Sequence, residues 1–468
     1  MNGQTTRTLC WAILAAMLSG AAAYYYPWPQ NEQQRSQVNQ PLFEEFEDKR
    51  VSFIEIEQYN SDLQSLERLN LQRRGERYLF PGFDNFNADN IQQISGAIGS
   101  LRKTVLDVIS DKVEDHTRFG VVDPQEFQST SNRSYLGKKI TLQDSNRGVI
   151  ASLIVGLSPD DAAKQDQRYV RIEGQPSVYL VEFDDRFLTS KFADWVDKNL
   201  LRLDPQLNAP DKIVVENFRI DPEKLGENPP VRNSLYRATL ELGPRSFPLR
   251  SLEVESNGEW KKTTPDQAQI SKLESGLVDL GSFPLVKARR IDKEIIPLLK
   301  KPYAPAKPEQ LEGLTKQGFR LVEPGNPVDM VSTGGRIEVF TNANVRISVL
   351  LGNFENTNQT RSKLARWALI LAQPDLTKIK KPEPPKPAEG QELTEEQKAE
   401  AARADRDYQQ AIAKAEQIAE SLNSVHSAWL YSIDEEAFTK MRPELTAEAP
   451  NSLARPPEDA SPAKTDDK

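Results

Sequence analysis

The stretch SVYLVEFDDRFLT, residues 177–189, returns 250 positions later as SAWLYSIDEEAFT, residues 427–439. In both, an alternating apolar run stops at clustered acids, and apolar residues then resume at helical spacing. This reads as a strand followed by a helical turn, with Asp184 and Asp434 as N-caps whose side-chain oxygens accept the first free backbone N–H groups. The neighbouring acids Asp185, Glu435 and Glu436 are favoured there by the helix dipole. A glycosidase-type acid pair must instead flank a substrate with its carboxyls roughly 5–10 Å apart, which adjacent residues on one strand do not provide.

Working outward from this echo, further segments repeat in one order. LNLQRRGERY (69–78) matches LEVESNGEW (252–260), each read as strand, tight turn and strand. The helical spacing of Ile91, Ile94, Ile98 and Leu101 is matched by Ile270, Leu273, Leu277 and Leu280. FGVVDP (119–124) then answers to FRLVEP (319–324), KKITLQD to GRIEVFT, ASLIVG to ISVLLG with Gly156 and Gly352 placed for turns, and RYVRIEG to RWALILA. The pattern predicts an α+β fold of two tandem copies of an antiparallel-sheet-plus-helix module. The boundaries it implies are an N-terminal segment 1–30, a linker 31–42, a first module 43–221, a proline-rich linker 222–232, a second module 233–446 and a disordered tail 447–468.

The copies differ at one place. The offset grows from about 198 at RYVRIEG to 250 at the opening echo, which marks some 52 residues, 374–426, inserted between two strands of the second module. The insertion starts as a proline-rich arm and continues as LTEEQKAEAARADRDYQQAIAKAEQIAESLNSV, with Thr394 and Gln397 spaced as a capping box. Tyr408, Ile412, Ala415, Ala419 and Leu422 line one face. That stripe either packs on its own domain or serves as a partner-binding surface, with coiled-coil spacing shorter than the roughly three or four heptads that define one.

From Thr8 to Gln30 the chain carries no charge, enough for one transmembrane helix. Arg7 precedes this run and an acid-rich stretch follows it, so the positive-inside rule places the N-terminus in the cytoplasm and the bulk of the chain outside. AAA at 21–23 would also suit signal-peptide cleavage, whereas Tyr24, Tyr25, Tyr26 and Trp28 form the aromatic belt of a retained signal anchor crossing the lipid bilayer through residues 8–28. A net charge of −9 without a basic stripe argues against nucleic acid. One cysteine, Cys10, excludes an internal disulfide, and two histidines, His116 and His426, read as surface residues in polar surroundings. No phosphate-binding loop, zinc spacing or nucleophile elbow occurs, so no catalytic, cofactor-binding or metal-ligating residue is assigned and the chain reads as non-enzymatic.

FNADNIQQISGAIGSL, FGVVDP, the strand ending LIVG, RYVRI and SVYLVEFD, following an N-terminal anchor, together resemble the bacterial family known as domain of unknown function 4340, over most of 43–205 and more distantly over 245–440. The resemblance implies no catalytic residues. It implies a membrane-anchored protein of the kind often encoded beside ABC-type permeases and gliding-motility auxiliary proteins, hence an accessory or scaffold role in an envelope complex. The alternative is an extracytoplasmic module binding cell-wall glycan or exported polysaccharide, with Trp260, Trp367 or Trp429 as stacking platforms, although aromatic residues on strands usually face the core.

Overall fold

The computed structural model describes residues 37–443 and 445, apart from 162–163, 221–232, 244–246, 257–258, 266, 278–279, 281–282, 284, 301–307, 322–329, 356–363 and 384–393. The expected membrane span and C-terminal tail lie outside these residues. Among the described residues no helix is long and apolar enough to cross a membrane. The chain divides into two compact units, Met1–Val196 and Asp197–Lys468.

The first unit contains β1 (Phe53–Asn60), β2 (Ser65–Arg74), β3 (Arg77–Phe80), β4 (Phe86–Ala88), α1 (Ile91–Gly99), β5 (Val105–Ser110), α2 (His116–Phe119), β6 (Lys138–Gln143), β7 (Val149–Val155), β8 (Gln167–Ile172) and β9 (Val178–Glu182). Its nine-stranded sheet runs β4-β3-β2-β1-β6-β7-β8-β9-β5. The chain meanders outward from β1 to β4, and after α1 it enters the far edge as β5. It then returns to the centre at β6 and meanders out again. All pairings are antiparallel.

The second unit contains β10 (Pro210–Arg219), β11 (Asn233–Glu241), β12 (Leu249–Ser256), β13 (Glu259–Thr263), α3 (Gln267–Gly276), β14 (Leu285–Arg290), α4 (Ile296–Lys300), α5 (Pro308–Lys316), β15 (Phe319–Leu321), β16 (Met330–Ser332), β17 (Arg336–Thr341), β18 (Val345–Phe354), β19 (Ala365–Pro374), α6 (Glu395–His426), β20 (Trp429–Asp434) and α7 (Glu435–Met441). Its large sheet runs β13-β12-β11-β10-β17-β18-β19-β20-β14, the same path as the first, and β15 pairs with β16 apart from it.

The fold is therefore α+β with two large antiparallel sheets, and three expectations change in detail. Residues 210–219, placed in the first module with an end at 221, form an inner strand of the second sheet, paired with β11 and β17. The proline-rich stretch 222–232 lies in sequence between β10 and β11, within the second unit, and falls outside the described residues. Likewise, the match of 69–78 to 252–260 sets β2–β3 against β12–β13, one strand too far from the centre. Finally, one helix per copy undercounts the second unit, which carries α3 to α7.

β19 shows why RWALILA lacks alternation. Trp367, Leu369 and Leu371 join Ile291, Ile295, Leu314 and Phe319 in one apolar cluster, while Ala368, Ile370 and Ala372 on the opposite side are buried as well. A strand covered on both faces reads as a continuous apolar run. Gly156 and Gly352 also serve packing rather than turning: a side chain at Gly156 would strike the Phe119 carbonyl, and one at Gly352 the Gln317 carbonyl.

Candidate interaction site

The inserted helix α6 is built from its N-terminus as its sequence dictates. Thr394 Oγ1 accepts from the Gln397 backbone N–H at 3.3 Å, and Gln397 Oε1 accepts from the Thr394 N–H at 3.0 Å, closing a capping box. At about 1.5 Å per residue the helix is roughly 48 Å long. It is held at one end only. No residue from Thr394 to Lys414 is buried, whereas Ala415, Ala419, Leu422, Asn423 and His426 are buried against the sheet, chiefly on β19.

The seat of α6 is the edge of β19 that β20 leaves open. β20 pairs with β19 only from Ala365 to Ala368, so the peptide groups beyond need other partners. Asn423 supplies them for Ala372: its Oδ1 accepts the Ala372 N–H at 2.9 Å and its Nδ2 donates to the Ala372 carbonyl at 2.8 Å. One side chain thus performs the hydrogen bonding of a strand residue. The proline-rich arm is tied down at its start, where Lys378 Nζ lies 2.6 Å from Asp211 Oδ2.

Of the five residues expected to meet a partner, Ala415, Ala419 and Leu422 are buried within their own unit, and Tyr408 and Ile412 are half-buried. The apolar stripe therefore serves mainly to seat the helix, because small residues allow close approach to the sheet. The surface left open is the charged face of the N-terminal half, with Glu395, Glu396, Lys398, Glu400, Arg403, Asp405, Arg406 and Asp407 exposed.

The acid clusters of the repeated stretch behave as caps. Asp184 accepts from the Arg186 N–H at 3.1 Å and Asp434 from the Glu436 N–H at 3.0 Å. The next acid in each ties back to the neighbouring strand: Asp185 lies 3.5 Å from Arg168 on β8, and Glu435 lies 2.7 Å from Arg366 on β19.

Sequence reasoning missed a second repeated arrangement. On inner strand β1, Glu57 stands opposite Arg68 of β2 and Lys139 of β6; on inner strand β10, Glu216 stands opposite Arg237 of β11 and Arg336 of β17. Glu57 is 2.6 Å from Arg68 Nε, and Glu216 is 2.7 Å from Arg237 Nε and 2.6 Å from Arg336 Nε. Burial works against the charge of Glu216, yet the guanidiniums of Arg336 and Arg237 outweigh it and hold its carboxyl below the ordinary range. Burial likewise opposes the Lys139 ammonium, but Glu173 and Asp123 hold its pKa above the usual value. The available signal was the match of IEIEQY (54–59) to IVVENF (213–218), hidden once β10 was assigned to the wrong module.

Both histidines are buried rather than superficial. His116 Nε2 lies 2.8 Å from the Pro176 carbonyl, and His426 Nδ1 lies 2.8 Å from the Tyr431 hydroxyl. Burial, with Arg202 nearby, pushes the His426 pKa down to about 4. Trp367 is buried, while Trp260 and Trp429 are half-buried beneath the guanidiniums of Arg237 and Arg290, 4.2 and 5.7 Å from the ring centres. Among the described residues no group of three His, Cys, Asp or Glu side chains is placed to hold a metal ion.

No curated protein and no solved structure matches the chain. Residues 80–207, from the end of β3 through β9 and the turns beyond it, match the family model described as Domain of unknown function (DUF4340), and over that stretch the chain is similar to that family.

Proposed function

We propose that this protein is a non-enzymatic, membrane-anchored extracytoplasmic accessory or scaffold protein, built from two copies of one module and associated with an ABC-type transport or gliding-like envelope complex. The observation that carries the reading is α6, a helix held at its C-terminal half and without a buried residue for about 24 Å along residues 395–410. A helix that only covered its sheet would end with the strand it covers.

Duplication is supported by the shared strand order, the Glu57 and Glu216 clusters in matching register, and the paired Arg168–Asp185 and Arg366–Glu435 contacts. The membrane anchor rests on the charge-free run 8–30, and the association with a transport complex on the family resemblance. The glycan-binding alternative is disfavoured by the tryptophans, whose faces are buried or occupied by cations.

Crosslinking in intact membranes followed by affinity recovery tests the reading. Permease or auxiliary subunits should co-purify, and deleting 394–407 should reduce their recovery about tenfold while the far-UV spectrum keeps its sheet signal. Equal recovery with and without the segment would refute α6 as the contact, and recovery of no such subunit would refute the scaffold role.

A further inference from the structure

A cleft of about 370 Å³ opens in the first unit between the β2–β3–β4 wing and α1. Its size lies at the lower end of small-molecule sites, roughly 300–1,000 Å³. The floor is apolar, made by Ile94 and Ile98 of α1, Ala88 of β4 and the ring of Tyr78. Ile91 stands at the mouth with 75% of its surface exposed, a side chain free to be covered. The Tyr78 hydroxyl donates to the Val51 carbonyl at 2.8 Å, and burial holds its pKa up at about 12, so the ring is offered in its neutral form.

Charge around the rim is unequal in availability. Lys49, Arg73 and Arg77 face Asp48, Glu76 and Asp89. Asp48 is already paired with Arg102 and Asp89 has an interaction of its own, which leaves Glu76 as the one further acid set against Lys49, Arg73 and Arg77. Arg73 is oriented by neutral acceptors, donating to the Gly75 carbonyl at 3.0 Å and the Lys49 carbonyl at 2.9 Å, so its charge is not neutralised there. Cationic charge beside an apolar floor selects a molecule with one anionic end and one apolar end.

We propose that this cleft binds a small anionic amphiphile, its acyl chain or ring lying on Ile91, Ile94 and Ile98 and its carboxylate-type head between Lys49, Arg73 and Arg77. The full chain in neutral-lipid nanodiscs is photolabelled with a diazirine-bearing octanoate, and the adducts are mapped by mass spectrometry. Adducts should fall within residues 73–98. Unlabelled octanoate should displace the probe at a concentration about tenfold lower than octanol, with octylammonium weaker still. Arg77→Gln, at an exposed residue, should weaken octanoate about 3- to 10-fold, and Ile91→Ser about 5-fold, both at unchanged thermal midpoint. Adducts confined to other segments, octanol or octylammonium competing as well as octanoate, or both variants binding octanoate like the parent would overturn the proposal.

Discussion

Replacing Asn423 by alanine isolates the contact that seats α6. Both amide atoms of Asn423 are spent on the peptide of Ala372, at 2.9 and 2.8 Å, and Ala372 itself is only 3% exposed. Removing the side chain leaves a buried N–H and a buried C=O unpaired, each at about 1–3 kcal/mol, so the loss is about 2–5 kcal/mol after partial rescue by water. Against a usual total of about 5–15 kcal/mol this is a large fraction of the unit's stability. Native-state hydrogen exchange reads it directly: the Ala372 amide and those of residues 415–426 should exchange about 30- to 4,000-fold faster, as roughly 1.4 kcal/mol corresponds to tenfold.

Two comparisons make the reasoning refutable. Lys414→Ala, on the exposed side of the same helix, should change exchange at Ala372 by less than about 0.5 kcal/mol. Asn423→Asp keeps the size but sets a carboxylate against the Ala372 carbonyl, so near neutral pH it should be at least as damaging as alanine. If Asn423→Ala protects Ala372 as well as Lys414→Ala does, the helix is held by its apolar residues alone and the strand-like role of Asn423 is wrong.

Three other outcomes follow from buried groups. Glu216→Gln takes the nearest counter-charge from Arg237 and Arg336, leaving them the more distant Glu253 and Glu338 at 3.7 Å, and should cost about 3 kcal/mol in urea unfolding. Because the folded pKa of Glu216 lies below its unfolded value, its stabilisation is present above about pH 4.5 and lost as pH falls through the folded pKa, a dependence the glutamine variant should lack. His426, whose pKa falls from 6.5 to about 4 on folding, acts over a different window: the unfolded chain binds the extra proton, so stability should fall by about 3 kcal/mol between pH 6.5 and 4, and His426→Gln should flatten that slope. Gly276→Ala places a methyl against the Lys440 backbone carbonyl, whereas Gly96→Ala meets the Phe187 ring, which can rotate aside; thermal melts should show the first costing more, by about 1–2 kcal/mol.

Much of the architecture was readable because each repeated strand carries its apolar pattern locally. The strands KKITLQD, ASLIVG, RYVRIEG and their counterparts appear in the expected order, and the Asp184 and Asp434 caps follow from neighbours two residues away. What escaped depends on distant partners. Glu57 and Glu216 look like ordinary strand acids until the register sets basic side chains on both flanking strands opposite them. The exposed half of α6 could not be separated from its buried half either, because alanine recurs along its whole length while the sheet reaches only the C-terminal half.

The place of α6 between β19 and β20 explains how the second unit carries this helix without losing its sheet. In the first unit, β8 and β9 are joined by residues 173–177 alone. In the second, β19 runs ten residues while β20 pairs with only four of them, so a hairpin opened here exposes peptide groups on one side of β19. Those groups carry a free-energy penalty unless something replaces the missing strand. α6 does so with Asn423 on Ala372 and with small residues that let its backbone approach. That requirement ends where β19 ends, so it accounts for the C-terminal half of the helix and for its alanines. The preceding turns satisfy no group of the sheet, and their capping box and charged face are the features on which the partner contact proposed above rests.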